Sequence, residues 1–132
     1  MKQRRTFEEL LLVVAALRAP DGCPWDRQQT HESLIPYMRE ELEETIEGIG
    51  IYTRTQDADN LCEELGDMLF HILMHSQIAS EEGLFDIYDV IDGVCEKMIR
   101  RHPHVFGEKK AVADSEAPMS WEELKKAEKE GK

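Results

Sequence analysis

Two stretches set acids where a helix can least disperse them. Tyr37-Met38-Arg39-Glu40-Glu41-Leu42-Glu43-Glu44 and Leu61-Cys62-Glu63-Glu64-Leu65-Gly66-Asp67-Met68-Leu69-Phe70 both read as helix, and each sets two acids three apart. At about 100° per residue, Glu41 and Glu44 share one face, and so do Glu64 and Asp67. Glu40, four before Glu44, stands at the edge of the first face. The second run is otherwise apolar, so its acids travel with a helix that must be buried. If the two helices pack antiparallel, four carboxylates converge from two sides. Like charges that close repel unless a cation lies between them. An all-oxygen ligand set favours Mg²⁺, with Mn²⁺ as a substitute. Acids on helices more often form a solvated face, and Glu43 and Glu47 are read that way.

The 132 residues suffice for one domain with a modest core. A hydrophobic share of 41% with 33% charged residues suits a short helical protein, or a protomer that completes its core by oligomerising. A net charge of −12 excludes the basic footprint that nucleic acid or an anionic membrane requires. Cys23, Cys62 and Cys95 are odd in number and widely spaced, with neither a disulfide framework nor zinc spacing. They read as reduced thiols in a cytoplasmic protein. The apolar run from Leu10 to Leu17 is too short to span a bilayer, and no cleavage site follows it.

Thr6 with Glu9 predicts a capping box that opens a first helix, which Pro20 stops. Gly22-Cys23-Pro24-Trp25-Asp26 reads as a rigid turn with a large aromatic; in one of two readings it is only a helix–helix connection, with Trp25 plugging the core. Gln28 to Leu34 is a short helical turn. Ser33 caps a second helix, with Pro36 in its first turn. It runs to about Ile49, ends at Gly50, and turns Ile35, Met38, Leu42, Ile46 and Ile49 inward, with Glu41 and Glu44 at the margin of the core. Asp57 caps a third helix that runs to about Glu82 with Gly83 beyond. It is apolar on most sides and therefore central. Asp86 caps a fourth, whose Ile87, Val90, Ile91, Val94, Met98 and Ile99 pack inward. Glu108 to Met119 reads as a mobile connector. Ser120 with Glu123 opens a short tail helix from Trp121. No strand is predicted. The expected fold is all-α: an antiparallel bundle of four main helices plus the tail helix, its core completed by oligomerisation. Residues 1–107 form the catalytic domain and 108–132 the connector and tail.

Paired carboxylates beside Lys97, Arg100 and Arg101, a dense basic cluster in an acidic chain, suggest a polyphosphate substrate. Mg²⁺ bridges phosphate oxygens, and a carboxylate activates water. Lys97 and Arg101, four apart, would hold the outer phosphates. No Gly-rich phosphate loop occurs, no EF-hand pattern, and no Glu-x-x-His of a di-iron bundle. His71 and His75 are read as core or flanking residues.

Taken together, these motifs resemble the MazG-type nucleoside triphosphate pyrophosphohydrolases. The resemblance rests on Gly22 to Asp26 with Gln29-Thr30, on Glu40, Glu41 and Glu44 followed by the run from Glu64 to Phe70, on Arg100 to Gly107, and on Trp121 to Lys125. It implies an all-α, Mg²⁺-dependent enzyme that splits nucleoside triphosphates into monophosphate and pyrophosphate, in nucleotide-pool house-cleaning. It implies metal ligands at Glu41, Glu44, Glu64 and Asp67 and substrate contacts from Lys97, Arg101 and Trp121. Glu40, which lies off the ligand face, is the candidate general base, with Glu41 the second catalytic candidate, and Tyr37, Asn60 and Arg100 are further candidate substrate contacts. Asn60 stands where some family domains place a lysine. It also implies a homodimer or tetramer. Two other readings are a relative specific for dUTP or phosphoribosyl-ATP, and a non-catalytic helical dimer that binds a partner.

Overall fold

The computed structural model describes residues 3–107 and 120–130, all in helices and their connections. The helices are α1 (Phe7–Arg18), α2 (Pro24–Gln28), α3 (Ile35–Thr55), α4 (Asp59–Glu81), α5 (Ile87–Arg101), α6 (Pro103–Phe106) and α7 (Trp121–Glu130). No strand occurs among the described residues, and none of their helices is long and apolar enough to cross a membrane. The expected connector, 108–119, lies outside the described residues. The chain forms two compact units, Met1–Ile87 and Tyr88–Lys132.

In the first unit α4 packs against both α3 and α1. The capping box forms as its spacing predicts: Thr6 Oγ1 accepts from Glu9 N at 3.2 Å, and Glu9 Oε1 accepts from Thr6 N at 3.1 Å. Val14 of α1 meets Leu73, Met74 and Ile78 of α4, together with Leu34 and Ile87. Burial of each such side chain contributes roughly 1.5–3 kcal/mol, so the C-terminal half of α4 anchors the unit. Its N-terminal half, which carries the acids, does not: Leu65 is 52% exposed, and Leu69 is exposed too. The expectation of a third helix buried along its length is corrected accordingly. At its end Gly83 takes a left-handed φ of 73°, the conformation glycine adopts without strain.

Several local expectations change. The Pro24 turn is itself the short helix α2, with proline in its first turn, and Trp25 is half-exposed rather than core. Ser33 does not cap α3; its Oγ donates to Gln29 Oε1 at 2.7 Å, and Leu34 takes the cap position. Gly50 does not end α3, because a lone glycine inside a helix only weakens it. The helix runs on to Thr55, and Gln56 stops it by taking a left-handed φ of 65°. Asp57 still serves α4, with Oδ1 accepting from Asp59 N at 3.0 Å, although Ala58 occupies the cap position.

One polar tie holds α1, α2 and α4 together. Arg18 Nε and Nη2 donate to the two carboxylate oxygens of Glu81 at 2.9 and 2.8 Å. Arg18 Nη1 donates to the carbonyls of Asp26 and Gln29 at 2.6 and 3.0 Å. Hydrogen bonding to Arg18 holds the Glu81 carboxyl below its ordinary range. His75, on the same helix, faces His31 with Nδ1 atoms 2.8 Å apart. Burial, then the neighbouring His31 and His71, lower its pKa.

In the second unit α5 leads through α6 to Gly107, and the tail helix α7 opens with Ser120 Oγ accepting from Glu123 N at 3.1 Å. Ile87, the first residue of α5, is buried in the core of the first unit, but Val90, Ile91, Val94 and Ile99 are exposed, against the inward packing that their spacing suggested. A 3.6-residue stripe is oriented toward whatever covers it, and none of the described residues of this unit buries these four.

Candidate active site

α3 and α4 form a hairpin through the short connection 56–58, so their acidic turns face each other. The face that α3 presents to α4 is Glu41, Thr45 and Gly48, all buried. The apolar stripe expected to be the core face of this helix points elsewhere: Ile35, Met38, Leu42, Ile46 and Ile49 are all exposed, Ile46 at 52%. The acids were expected at the margin of the core, yet Glu41 is only 7% exposed.

Carboxylate oxygens of Glu41, Glu64 and Asp67 lie within 4.8 Å of one another. Glu44 lies one turn along α3 and is half-buried; its charge adds to the field on Glu41. Glu64 is half-buried and Asp67 exposed, so the cluster opens toward solvent on the α4 side. Burial raises the Glu41 carboxyl from 4.5 to about 7; a hydrogen bond with Glu64 and the charges of Glu64, Asp67 and Glu44 add to the rise. Thr45 Oγ1 donates to Glu41 O at 2.9 Å and sits 3.4 Å from Glu41 Oε2. An all-oxygen donor set whose members repel one another fits a hard divalent cation, which removes the repulsion when bound.

The sign of the resulting pH dependence follows from linkage. With its pKa raised, Glu41 favours the folded state at low pH, and that contribution is lost as pH rises from 4.5 through about 7. His75, with a lowered pKa, works the opposite way through the histidine range. The difference between wild type and Glu41→Gln isolates the Glu41 part. In chelator, the melting temperature of wild type relative to Glu41→Gln is expected to fall between about pH 5 and about pH 8. Added Mg²⁺ is expected to restore it.

Of the other expected site residues, Glu40 and Tyr37 are exposed on α3, and Tyr37 meets Trp25 edge-on with centroids 5.5 Å apart. Asn60 is half-buried at the start of α4, beside Gly48. Lys97, Arg100, Arg101 and Trp121 belong to the second unit. There the Arg101 guanidinium lies 5.0 Å from the Trp121 ring centroid, and the Lys125 ammonium 5.5 Å. Thr45 and Gly48 were not singled out from the sequence. Small residues four and seven after Glu41, on its own face, were the available signal.

A model of the MazG nucleotide pyrophosphohydrolase domain matches residues 29–106. The chain is 49% identical over 123 residues to a Thermotoga maritima protein named nucleoside triphosphate pyrophosphohydrolase/pyrophosphatase MazG, covering 93% of this chain and 45% of that one. It is 40% identical over 124 residues to the nucleoside triphosphate pyrophosphohydrolase of Escherichia coli strain K12, covering 93% and 46%. The chain thus spans less than half the length of these curated relatives. A crystal structure of a mazG-related protein from Thermotoga maritima superposes with a TM-score of 0.63 at 32% identity, covering 93% of this chain and 96% of that one. The match spans both acidic helices and the basic end of α5, and by sequence and fold alike the chain belongs to the MazG nucleotide pyrophosphohydrolase family.

Proposed function

We propose that this chain hydrolyses nucleoside triphosphates to nucleoside monophosphate and pyrophosphate with Mg²⁺, as a cytoplasmic house-cleaning activity on the nucleotide pool. The observation that carries the reading is the buried Glu41, facing Glu64 and Asp67 with its proton affinity raised. Left without a cation, that arrangement only destabilises the hairpin. Glu41, Glu44, Glu64 and Asp67 are the proposed ligands. The bound ion would draw phosphate oxygens into the site and withdraw charge from phosphorus.

The protein's own groups then have distinct tasks. Glu40, exposed beside Glu41, accepts a proton from the attacking water, while Glu41 orients it through the shared site. Water adds to phosphorus, the bridge between the α and β phosphates breaks, and pyrophosphate leaves. Lys97 and Arg101 neutralise the outer phosphates, with Arg100 adjacent. Tyr37 with Trp25 offers an aromatic edge to the nucleoside one turn before Glu41. Asn60 donates to phosphate where a lysine serves in other members. Trp121 holds the Arg101 side chain through its ring face.

The working unit in this proposal is a homo-oligomer, most simply a dimer. Ile35, Leu42, Ile46 and Ile49 on α3, with Leu65 and Ile72 on α4, leave a broad apolar face that a second copy would cover.

The test is pyrophosphate release from a panel of nucleoside triphosphates, with Mg²⁺ and with chelator, beside sedimentation of the same sample. Mg²⁺-dependent release of pyrophosphate in equal amount to monophosphate, from a dimer or larger, is the expected result. No release from any nucleotide overturns the activity. A folded, active monomer overturns the oligomer.

A further inference from the structure

The Glu41 face of α3 continues through Thr45 to Gly48, and there the backbones of α3 and α4 come close. A Cβ placed on Gly48 would lie 3.1 Å from Asn60 Nδ2, 3.3 Å from Leu61 Cα and 3.6 Å from Glu64 Cγ. Asn60 can swing aside. Leu61 Cα is helix backbone, so α4 itself must give by a few tenths of an ångström to admit a single methyl group. Glu64 sits one turn along from Leu61 and moves with it. Gly66, on α4, has nothing within 4 Å of its would-be Cβ, so of the hairpin's glycines Gly48 is the one that faces the other helix's backbone closely. On the other side Glu41 has little freedom to follow a retreating α4, being buried, with Thr45 Oγ1 donating to its Oε2 at 3.4 Å.

We infer that Gly48 is a positioning residue: it sets the spacing between the Glu41 and Glu64 carboxylates, and thereby makes the site select Mg²⁺ over larger divalent cations such as Ca²⁺. This rests on the proposal that the acids bind a metal. The magnitudes agree. Mg²⁺ holds oxygens at about 2.0–2.1 Å in a near-ideal octahedron, whereas Ca²⁺ accepts about 2.3–2.6 Å in irregular shells. That difference is a few tenths of an ångström, the same size as the displacement an alanine would force. A wider gap therefore costs Mg²⁺ far more than Ca²⁺.

The experiment is calorimetric titration of Mg²⁺ and, separately, Ca²⁺ into metal-free wild type, Gly48→Ala and Thr45→Val, with helix content checked by circular dichroism. Gly48→Ala is expected to weaken Mg²⁺ binding about tenfold, the lower end of the effect of residues that orient metal ligands, while leaving Ca²⁺ binding nearly unchanged. Thr45→Val keeps the shape and loses the hydroxyl; it is expected to weaken both ions alike and leave their ratio intact. An unchanged ratio in Gly48→Ala overturns the inference. So does an equal shift of ratio in Thr45→Val, which would mean that any loosened ligand suffices. Wild type that binds neither ion overturns the metal proposal and this inference with it, and that result is distinct from an unchanged ratio. Should Gly48→Ala fail to fold, Gly48→Ala/Asn60→Ala, which removes the nearest obstructing atom, is compared with Asn60→Ala by the same ratio.

Discussion

Glu64→Gln and Asp67→Asn are each expected to reduce pyrophosphate release to near background while the fold survives. Both changes keep side-chain shape, and both remove a negative charge from a cluster whose oxygens lie within 4.8 Å of one another. The metal-free protein is expected to melt higher than wild type, because the like-charge repulsion that, after burial, adds to the rise of the Glu41 carboxyl is relieved. Stabilisation by Mg²⁺ is expected to shrink, since a ligand stabilises only the state that binds it. Glu41→Gln follows the same pattern, as does Glu44→Gln more mildly, because Glu44 stands outside the closest group of three. Glu43→Gln and Glu47→Gln, both exposed, are expected to change neither quantity. Glu40→Gln lowers kcat more than it lowers metal affinity if its task is the proton of water. The measurement is thermal unfolding with and without Mg²⁺, beside the release assay, on the seven variants. Damage from Glu43→Gln equal to that from Glu64→Gln would refute the assignment of the α3–α4 face as the site.

Arg18→Met is expected to have the largest effect on stability. The Arg18 side chain is 8% exposed and uses three nitrogens at once, two on Glu81 and one on the carbonyls of Asp26 and Gln29. Glu81 itself is 37% exposed, so water largely rehydrates its freed carboxylate. The cost falls on the two carbonyls, whose donor vanishes in a part-buried place, and on the lost packing of the arginine stem. Roughly 1–3 kcal/mol for each unpaired group gives a total near 3 kcal/mol, or about 10 °C in melting temperature. Glu81→Gln keeps an acceptor and is expected to cost only about 1 kcal/mol. Arg18→Lys is not expected to rescue, because an ammonium cannot reach a carboxylate and two carbonyls with one rigid fork. Denaturant unfolding of the three variants checks the order, and equal losses for Glu81→Gln and Arg18→Met would show that the ion pair, not the carbonyls, carries the energy. Because those carbonyls belong to α2 and the residue just after it, Arg18→Met is also expected to free Trp25 from its edge contact with Tyr37, visible as a shift in tryptophan emission.

Much of this protein is written in local pattern. The Thr6–Glu9 box, Pro20, Gly83 and Ser120 with Glu123 mark helix ends through bonds that span a few residues, and such bonds form wherever the sequence places them. The acids Glu41, Glu64 and Asp67 were legible for the same reason, because a spacing of three defines a face on any helix. The all-helical fold and the family followed from these local signals and their order along the chain. Which face meets a neighbour is not local. α3 carries two periodic faces, one apolar through Ile46 and one of Glu41, Thr45 and Gly48, and hydrophobicity alone assigns the first to the core. The hairpin has the second inside, where Gly48 lets the α4 backbone come a few tenths of an ångström closer than a Cβ would comfortably allow. That choice buried Glu41, left the apolar stripe on the surface, and brought three carboxylates together. Arg18 was equally silent in sequence, since its partners Asp26 and Gln29 at α2 and Glu81 on α4 come from two separate segments that only the packed chain unites with α1. Sequence determined which residues share a face. Tertiary structure decided which face was turned inward, because that depends on how near two backbones can come.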